Sequence, residues 1–190
     1  MICGVTALML VGCGDEAEVP QADSGAPVPE LVPAPAPDGA VGVYAQVCAA
    51  CHGPAGEGKE ELHSPSIAGL PIWYVEEQVK KFRAGTRGFH PEDLPGQQMR
   101  AISLTLTDAQ ISEAAVTIAE MPIHLSEPPP ADFDLETARY SYANDCMECH
   151  RYNGKGEIVF HSAQLISLNR SYLRRQLQNF RSGRRGATEG

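Results

Sequence analysis

The sequence predicts an all-α protein: two tandem copies of one small helical unit, the second incomplete at its C-terminal end, carried behind a disordered tether rich in proline and acid. Three observations carry that prediction. Residues 44–88 lie over residues 142–186 with a constant offset of 98 and no gap, which marks two copies of one folding unit. Apolar residues recur at helical spacing, and no Val/Ile-rich run of strand type flanks the repeated motifs. Ahead of both copies stands a stretch that can neither form a helix nor bury a core.

Taken in order, the first element is the apolar segment "MICGVTALMLVGCG". It is too short to span a bilayer and reads as the apolar region of an export signal, residues 1–13. Its end, Leu10-Val11-Gly12-Cys13, resembles a bacterial lipobox, in which the cysteine becomes the lipidated N-terminus. No Lys or Arg precedes the apolar run, so a longer signal upstream of the recorded start is expected. The rival reading, an N-terminal helix of the fold, is disfavoured because Asp15, Glu16 and Glu18 follow at once. Residues 14–40 hold six prolines among scattered acids and predict a partly polyproline-II spacer, able to hold a globule up to roughly 90 Å from its anchor at about 3.1 Å per residue. Residues 41–125 form the first domain, residues 126–134 a linker containing "SEPPPADF", and residues 135–190 the second domain.

Charge narrows the partners. The formal net charge is −9, which excludes nucleic acid as a partner, since phosphate binding rests on an excess of Lys and Arg. Residues 44–134 carry thirteen acids against six bases, whereas residues 135–190 carry five acids against nine bases. Such a division orients a molecule towards charged partners at low salt, although both surfaces can equally be read as plain solvated faces. Aromatic residues make up 6% of the chain, too few for two large cores, so something other than side chains is expected to fill the interior.

The repeat brings the chemistry. Cys48-x-x-Cys51-His52 is matched by Cys146-x-x-Cys149-His150, and Gly56, Gly58, His63, Tyr74, Gln78, Phe82, Gly85 and Arg87 by Gly154, Gly156, His161, Tyr172, Gln176, Phe180, Gly183 and Arg185. Tyr44, Val47, Cys48 and Cys51 fall at i, i+3, i+4 and i+7, which places both cysteines near one helix face. C-x-x-C-H on such a face is the attachment signature of c-type haem: two thiols form thioethers and the adjacent histidine becomes the proximal iron ligand. Two covalently bound haem c groups are therefore expected, on Cys48, Cys51 and His52 and on Cys146, Cys149 and His150. Haem would also be the missing interior. A thioredoxin-like dithiol would need a βαβ pattern, and one zinc held by all four cysteines would need a much shorter spacing. Gly56 and Gly58 suit a loop that passes close to a macrocycle with φ values other residues avoid.

Met99, in "DLPGQQMRAIS", reads as a residue of a glycine-containing loop and the distal ligand of the first iron. Its rival, Met121, caps a helix end and reads as packing. That helix is marked by a capping-box pair, Thr107 and Gln110, by an apolar stripe of Ile111, Ala115 and Ile118, and by Pro122. A middle helix is expected around Pro71–Ala84 and again around Asn169–Ser182, with Gly85 and Gly183 as stops. Pro65 is assigned to orient His52 by offering its carbonyl to the ring N–H; Ala163 stands at the matching place. His63 and His161 have two open readings, contact with a haem propionate or surface residues left from duplication. The offset carries Met99 to about position 197, past Gly190, so a continuation bearing a Gly-x-x-Met-like loop is expected, and His150 is the one assigned ligand of the second iron.

From Tyr44 onward the chain resembles the tandem di-haem class I cytochromes c, in particular the cytochrome c4 family, through both C-x-x-C-H motifs, "YVEEQVKKFRAGTRG" with "YLRRQLQNFRSGRRG", and "GQQMRAIS". The resemblance implies two small all-α haem domains facing each other, His/Met-ligated, passing electrons in the periplasm. The expected role is single-electron transfer, with no bond chemistry, between a membrane donor (a dehydrogenase or quinol-oxidising complex) and a terminal oxidase or reductase. The alternative is a di-haem peroxidase or the cytochrome subunit of a dehydrogenase or oxidase complex. The lipobox and tether lie outside the resemblance and suggest a membrane-held version. Cys13→Ser should release the protein from membranes with its haem spectrum unchanged, because tether and globule are independent; an unchanged membrane fraction would remove the lipid anchor.

Overall fold

The structure is a computed structural model that describes residues 42–125 and 128–186. The leader, the tether and Cys13 lie outside the described residues. Among the described residues no strand forms; the isolated bridges Lys59–Ser64 and Glu157–Ser162 stand one repeat offset apart. No described helix is long and apolar enough to cross a membrane.

The first unit opens with a π-helical turn, Tyr44–Cys48, that tightens into α1, Ala49–His52. Sequence periodicity predicts one continuous α-helix here; the wider turn re-aims the motif without interrupting the backbone bonds. A single 3₁₀ turn, Glu60–Leu62, precedes α2, Ile72–Ala84, whose N-cap is Pro71. Gly85 ends α2 at φ 78°, its N–H bonded to the Phe82 carbonyl, the left-handed stop that glycine makes at least cost. Next come α3, Leu94–Ser103, and α4, Asp108–Glu120. The α4 capping box is complete: Thr107 accepts from Gln110 N–H, and Gln110 Oε1 accepts from Thr107 N–H at 2.9 Å.

Met99 sits inside α3, not on a loop. The helix starts where it does because Asp93 caps it, accepting from Gly96 N–H, and Pro95 occupies the first turn, where its missing N–H has no partner to lose. Gly96 makes this stretch look loop-like in sequence, yet it is buried in the first turn of α3.

The second unit repeats the first: α5, Leu135–Asp145, then α6, Met147–His150, a 3₁₀ turn at Ile158–Phe160, and α7, Arg170–Arg181. The match extends to backbone detail. Tyr44 donates its hydroxyl to Gly53 O at 2.6 Å and Tyr142 to Arg151 O at 2.7 Å; His63 and His161 both stand in the left-handed region, φ 56° and 49°. One exchange is costly, since Arg151, at φ 65° and ψ 161°, occupies the place of Gly53 at φ 83° and ψ 156°, a region that side-chain-bearing residues enter at about 1–3 kcal/mol. Among the described residues nothing matching α3 and α4 follows α7. Phe82 is 5% exposed beneath those helices, whereas its equivalent Phe180 is 50% exposed.

One apolar core crosses the two units: Tyr44, Leu70, Tyr74, Val75, Ala115 and Ile118 pack with Leu168 and Tyr172. Leu70 and Leu168, like Tyr74 and Tyr172, are repeat equivalents, so the contact is related to itself by a pseudo-two-fold. Its polar part has the same symmetry. Arg87 donates to Gln78 at 2.7 Å and Arg185 to Gln176 at 2.6 Å; each also reaches across, Arg87 to Tyr172 at 2.6 Å and Arg185 to Gln78 at 3.3 Å. Such bonds inside a buried seam are expensive to leave half-made.

In the first unit Arg83 ties α2 to the α3–α4 connection, donating to Ser103 O, to Leu106 O at 2.6 Å and to Asp108 at 2.5 Å. Asp108 is exposed, so the two carbonyls matter more than the ion pair. Arg83→Ala should destabilise the first unit by about 1–3 kcal/mol, read from a denaturant titration followed at Trp73; an unchanged midpoint would show that the connection holds itself.

Candidate cofactor site

The site is built from α1 outward. The π-to-α turn brings Cys48, Cys51 and His52 to the wall of a cleft. His52 is 6% exposed, and its Nδ1 lies 2.9 Å from the carbonyl oxygen of Pro65. A carbonyl only accepts, so Nδ1 carries the proton and Nε2 keeps its lone pair free. Burial holds the ring below the usual histidine range, opposed by the bond to Pro65, so the imidazole stays neutral and able to ligate a metal. His150 repeats the arrangement on Ala163 O at 2.9 Å. The lock is thus a backbone carbonyl in both units, and the proline ring is not needed for it.

Gly58 explains how that carbonyl is delivered. At φ 81°, its N–H bonds His52 O at 2.8 Å, and a Cβ there would come within 2.5 Å of Ser66 N and 2.6 Å of the Pro65 carbonyl carbon. Gly56 likewise lies against Ala68 and Met121. The sequence expectation is that these glycines make room for a macrocycle; the atoms they make room for are the chain's own Pro65–Ala68 segment.

About 170 Å³ of the cleft is open to the centre of a water-sized sphere. Its walls are largely apolar: Val75, Val79 and Phe82 from α2 and Ile111 and Ile118 from α4. Met99 lines the same cleft from α3. No disulfide joins Cys48 and Cys51, and burial, then the neighbouring Cys51, pushes the Cys48 thiol up to about 11. A redox dithiol needs the opposite shift. Among the described residues no three of His, Cys, Asp and Glu gather as a metal cluster. A pair of thiols, a locked imidazole and a thioether on one apolar cleft is the donor set a covalently held haem requires. In the second unit Cys146 is half-buried and Cys149 exposed.

Three further residues reach this cleft from α7 of the other unit: Tyr172, Arg175 and Gln176. Arg87, 7% exposed, joins them from the first unit. The repeat pairs Tyr172 and Gln176 with Tyr74 and Gln78, the signal that a pseudo-two-fold seam leaves, whereas Arg175 stands opposite Glu77 and carries no such signal. His63 and His161 each close a 3₁₀ turn in the left-handed region, and His63 lines the first cleft.

An all-α chain that carries a C-x-x-C-H turn in each of two copies, the first of them feeding such a cleft, has the donor set of a c-type cytochrome. Residues 38–116 match the family model for cytochrome c. The chain is 28% identical over 152 residues to cytochrome c4 of Azotobacter vinelandii, covering 74% of this chain and 70% of that protein. It is 31% identical over 108 residues to the thiosulfate dehydrogenase electron acceptor of Thiomonas intermedia (strain K12), spanning 50% of this chain and 48% of that relative. The structure of Acidithiobacillus ferrooxidans cytochrome c4 overlays with a TM-score of 0.64 at 23% identity, covering 76% of this chain and 86% of that one. Residues 38–116 thus carry a cytochrome c domain, and the chain is similar to the electron-transfer cytochromes of the c4 type.

Gly58→Ala would force a Cβ into the Pro65–Ser66 backbone at a left-handed φ. It should cost about 1–3 kcal/mol and loosen His52, seen as broadened imidazole resonances; unchanged stability and sharp resonances would show that the loop can yield.

Proposed function

We propose that this chain is a periplasmic di-haem electron carrier, tethered to a membrane through Cys13, that accepts single electrons from a redox enzyme and passes them to an oxidase or reductase. Cys48 and Cys51 would hold the first haem, with His52 and Met99 as its iron ligands; Cys146, Cys149 and His150 would hold the second. The observation that carries this reading is the His Nδ1–carbonyl lock, made at 2.9 Å in both copies beside the paired thiols.

Haem c, when bound, supplies a one-electron iron couple. The rest falls to the chain. His52 is kept neutral and fixed in one tautomer, so its lone pair needs no proton removed and no rotation to serve as ligand. The apolar wall of α2 and α4 excludes water, which keeps reorganisation during electron transfer small. Met99 and His52 line the same cleft and could both ligate one iron, as suits a carrier. The named similarity to a thiosulfate dehydrogenase electron acceptor supports a sulfur-oxidising dehydrogenase as the donor.

Changing Cys48 and Cys51 together to Ala should leave one covalent haem in place of two, counted by pyridine haemochrome assay, and loosen the first unit, whose interior the haem fills. Retention of two would refute the attachment sites. In the unmodified protein the first haem should not bind carbon monoxide when reduced; rapid binding there would favour the peroxidase reading.

A further inference from the structure

Each unit carries a tyrosine four residues ahead of its first cysteine, Tyr44 and Tyr142, which the repeat offset makes equivalent. Tyr44 is 4% exposed, and its hydroxyl donates to Gly53 O at 2.6 Å; Tyr142 donates to Arg151 O at 2.7 Å. Each bond reaches nine residues along the chain and encloses the whole C-x-x-C-H turn. Its acceptor is the carbonyl of the residue directly after the histidine, and the same oxygen also receives an N–H, from Gly56 at 3.3 Å or from Gly154 at 3.2 Å. The preceding carbonyl is held as well, His52 O by Gly58 N–H at 2.8 Å and His150 O by Gly156 N–H at 3.1 Å. The return loop is thus pinned at its start, at its middle, and at the end where Pro65 O or Ala163 O meets the imidazole.

We infer that Tyr44 and Tyr142 are positioning residues for the proximal histidines, each hydroxyl fixing the imidazole through the loop that carries its carbonyl partner. This rests on the haem assignment above. The ψ angle of Gly53, 156°, sets the direction in which the loop leaves α1, and Arg151 leaves α6 at nearly the same angle, 161°. A hydroxyl bonded to the carbonyl of that residue holds the angle, so the loop delivers Pro65 O where Nδ1 needs it. Outer-shell partners of this kind orient a metal-binding imidazole. Because the acceptor is backbone, the bond survives the exchange of Gly53 for Arg151, a residue whose side chain makes that backbone shape costly. The ring of Tyr44 has a separate task, packing in the core with Ala115 and Ile118. A phenylalanine would serve that task equally; only the oxygen serves the loop.

The test uses the full 190-residue holoprotein, reduced and under carbon monoxide so that neither iron is paramagnetic, and follows solvent exchange of the histidine ring N–H by nuclear magnetic resonance. Tyr44→Phe should speed exchange of His52 Nδ1–H by about tenfold, the effect of one lost hydrogen bond, and leave that of His150 and the backbone amides of α2 within about twofold. Tyr142→Phe should do the converse, speeding His150 and sparing His52. A hydroxyl that merely stabilised the fold would speed the α2 amides as much as the ring N–H, and that result overturns the inference, as does ring exchange left unchanged. Should Tyr44→Phe fail to fold, Tyr142→Phe decides it by the same comparison of His150 with the amides of α7. A pyridine haemochrome count on the same samples separates the two possible failures. Unchanged ring exchange in protein that holds two covalent haems overturns this inference alone, whereas an unmodified protein that holds none overturns the haem assignment, and this inference with it.

Discussion

The hydrogen bond from a histidine Nδ1 to a backbone carbonyl two turns further along the chain is the constraint around which each unit is arranged. The carbonyl must arrive at 2.9 Å from a ring at the end of α1, so the chain has to double back within a dozen residues. That reversal needs Gly58 to pass under Ser66, the Lys59–Ser64 bridge to close the loop, and His63 to turn through the left-handed region. The second unit rebuilds every one of these features with Gly156, Glu157–Ser162 and His161. What has been kept between the copies is a backbone path, and the side chains have been kept where that path or the seam needs them.

The seam is the second organising contact. Two units each too small to bury much surface alone share a core through Leu70, Tyr74, Leu168 and Tyr172, and the Arg–Gln pairs above it satisfy one another across the pseudo-two-fold. Self-related contacts of this kind let one patch serve twice. They also place residues of each unit at the edge of the other's loop, which is how an arginine on α7 enters a cleft built by α1, α2 and α4.

Much of this was legible in the sequence. The offset of 98, both C-x-x-C-H turns, the Thr107–Gln110 box and the Gly85 stop are local patterns with local causes. Met99 lines the first cleft from within α3; in the sequence Gly96 suggests a loop there, while Asp93 and Pro95 are the start signals of the helix. The glycine neighbours and the cross-unit arginine were not legible, because both depend on which segments meet after folding. Leader and tether lie outside the described residues, so the structure adds nothing to that part.

The two copies are not equally firm. Arg151 holds a backbone shape that Gly53 adopts without cost. Local opening therefore begins in the second unit. Yet Tyr172, Arg175 and Gln176 are a wall of the first cleft, so whenever α7 lifts, water reaches His52 as well. The dryness of the first cleft is therefore a property of both units together.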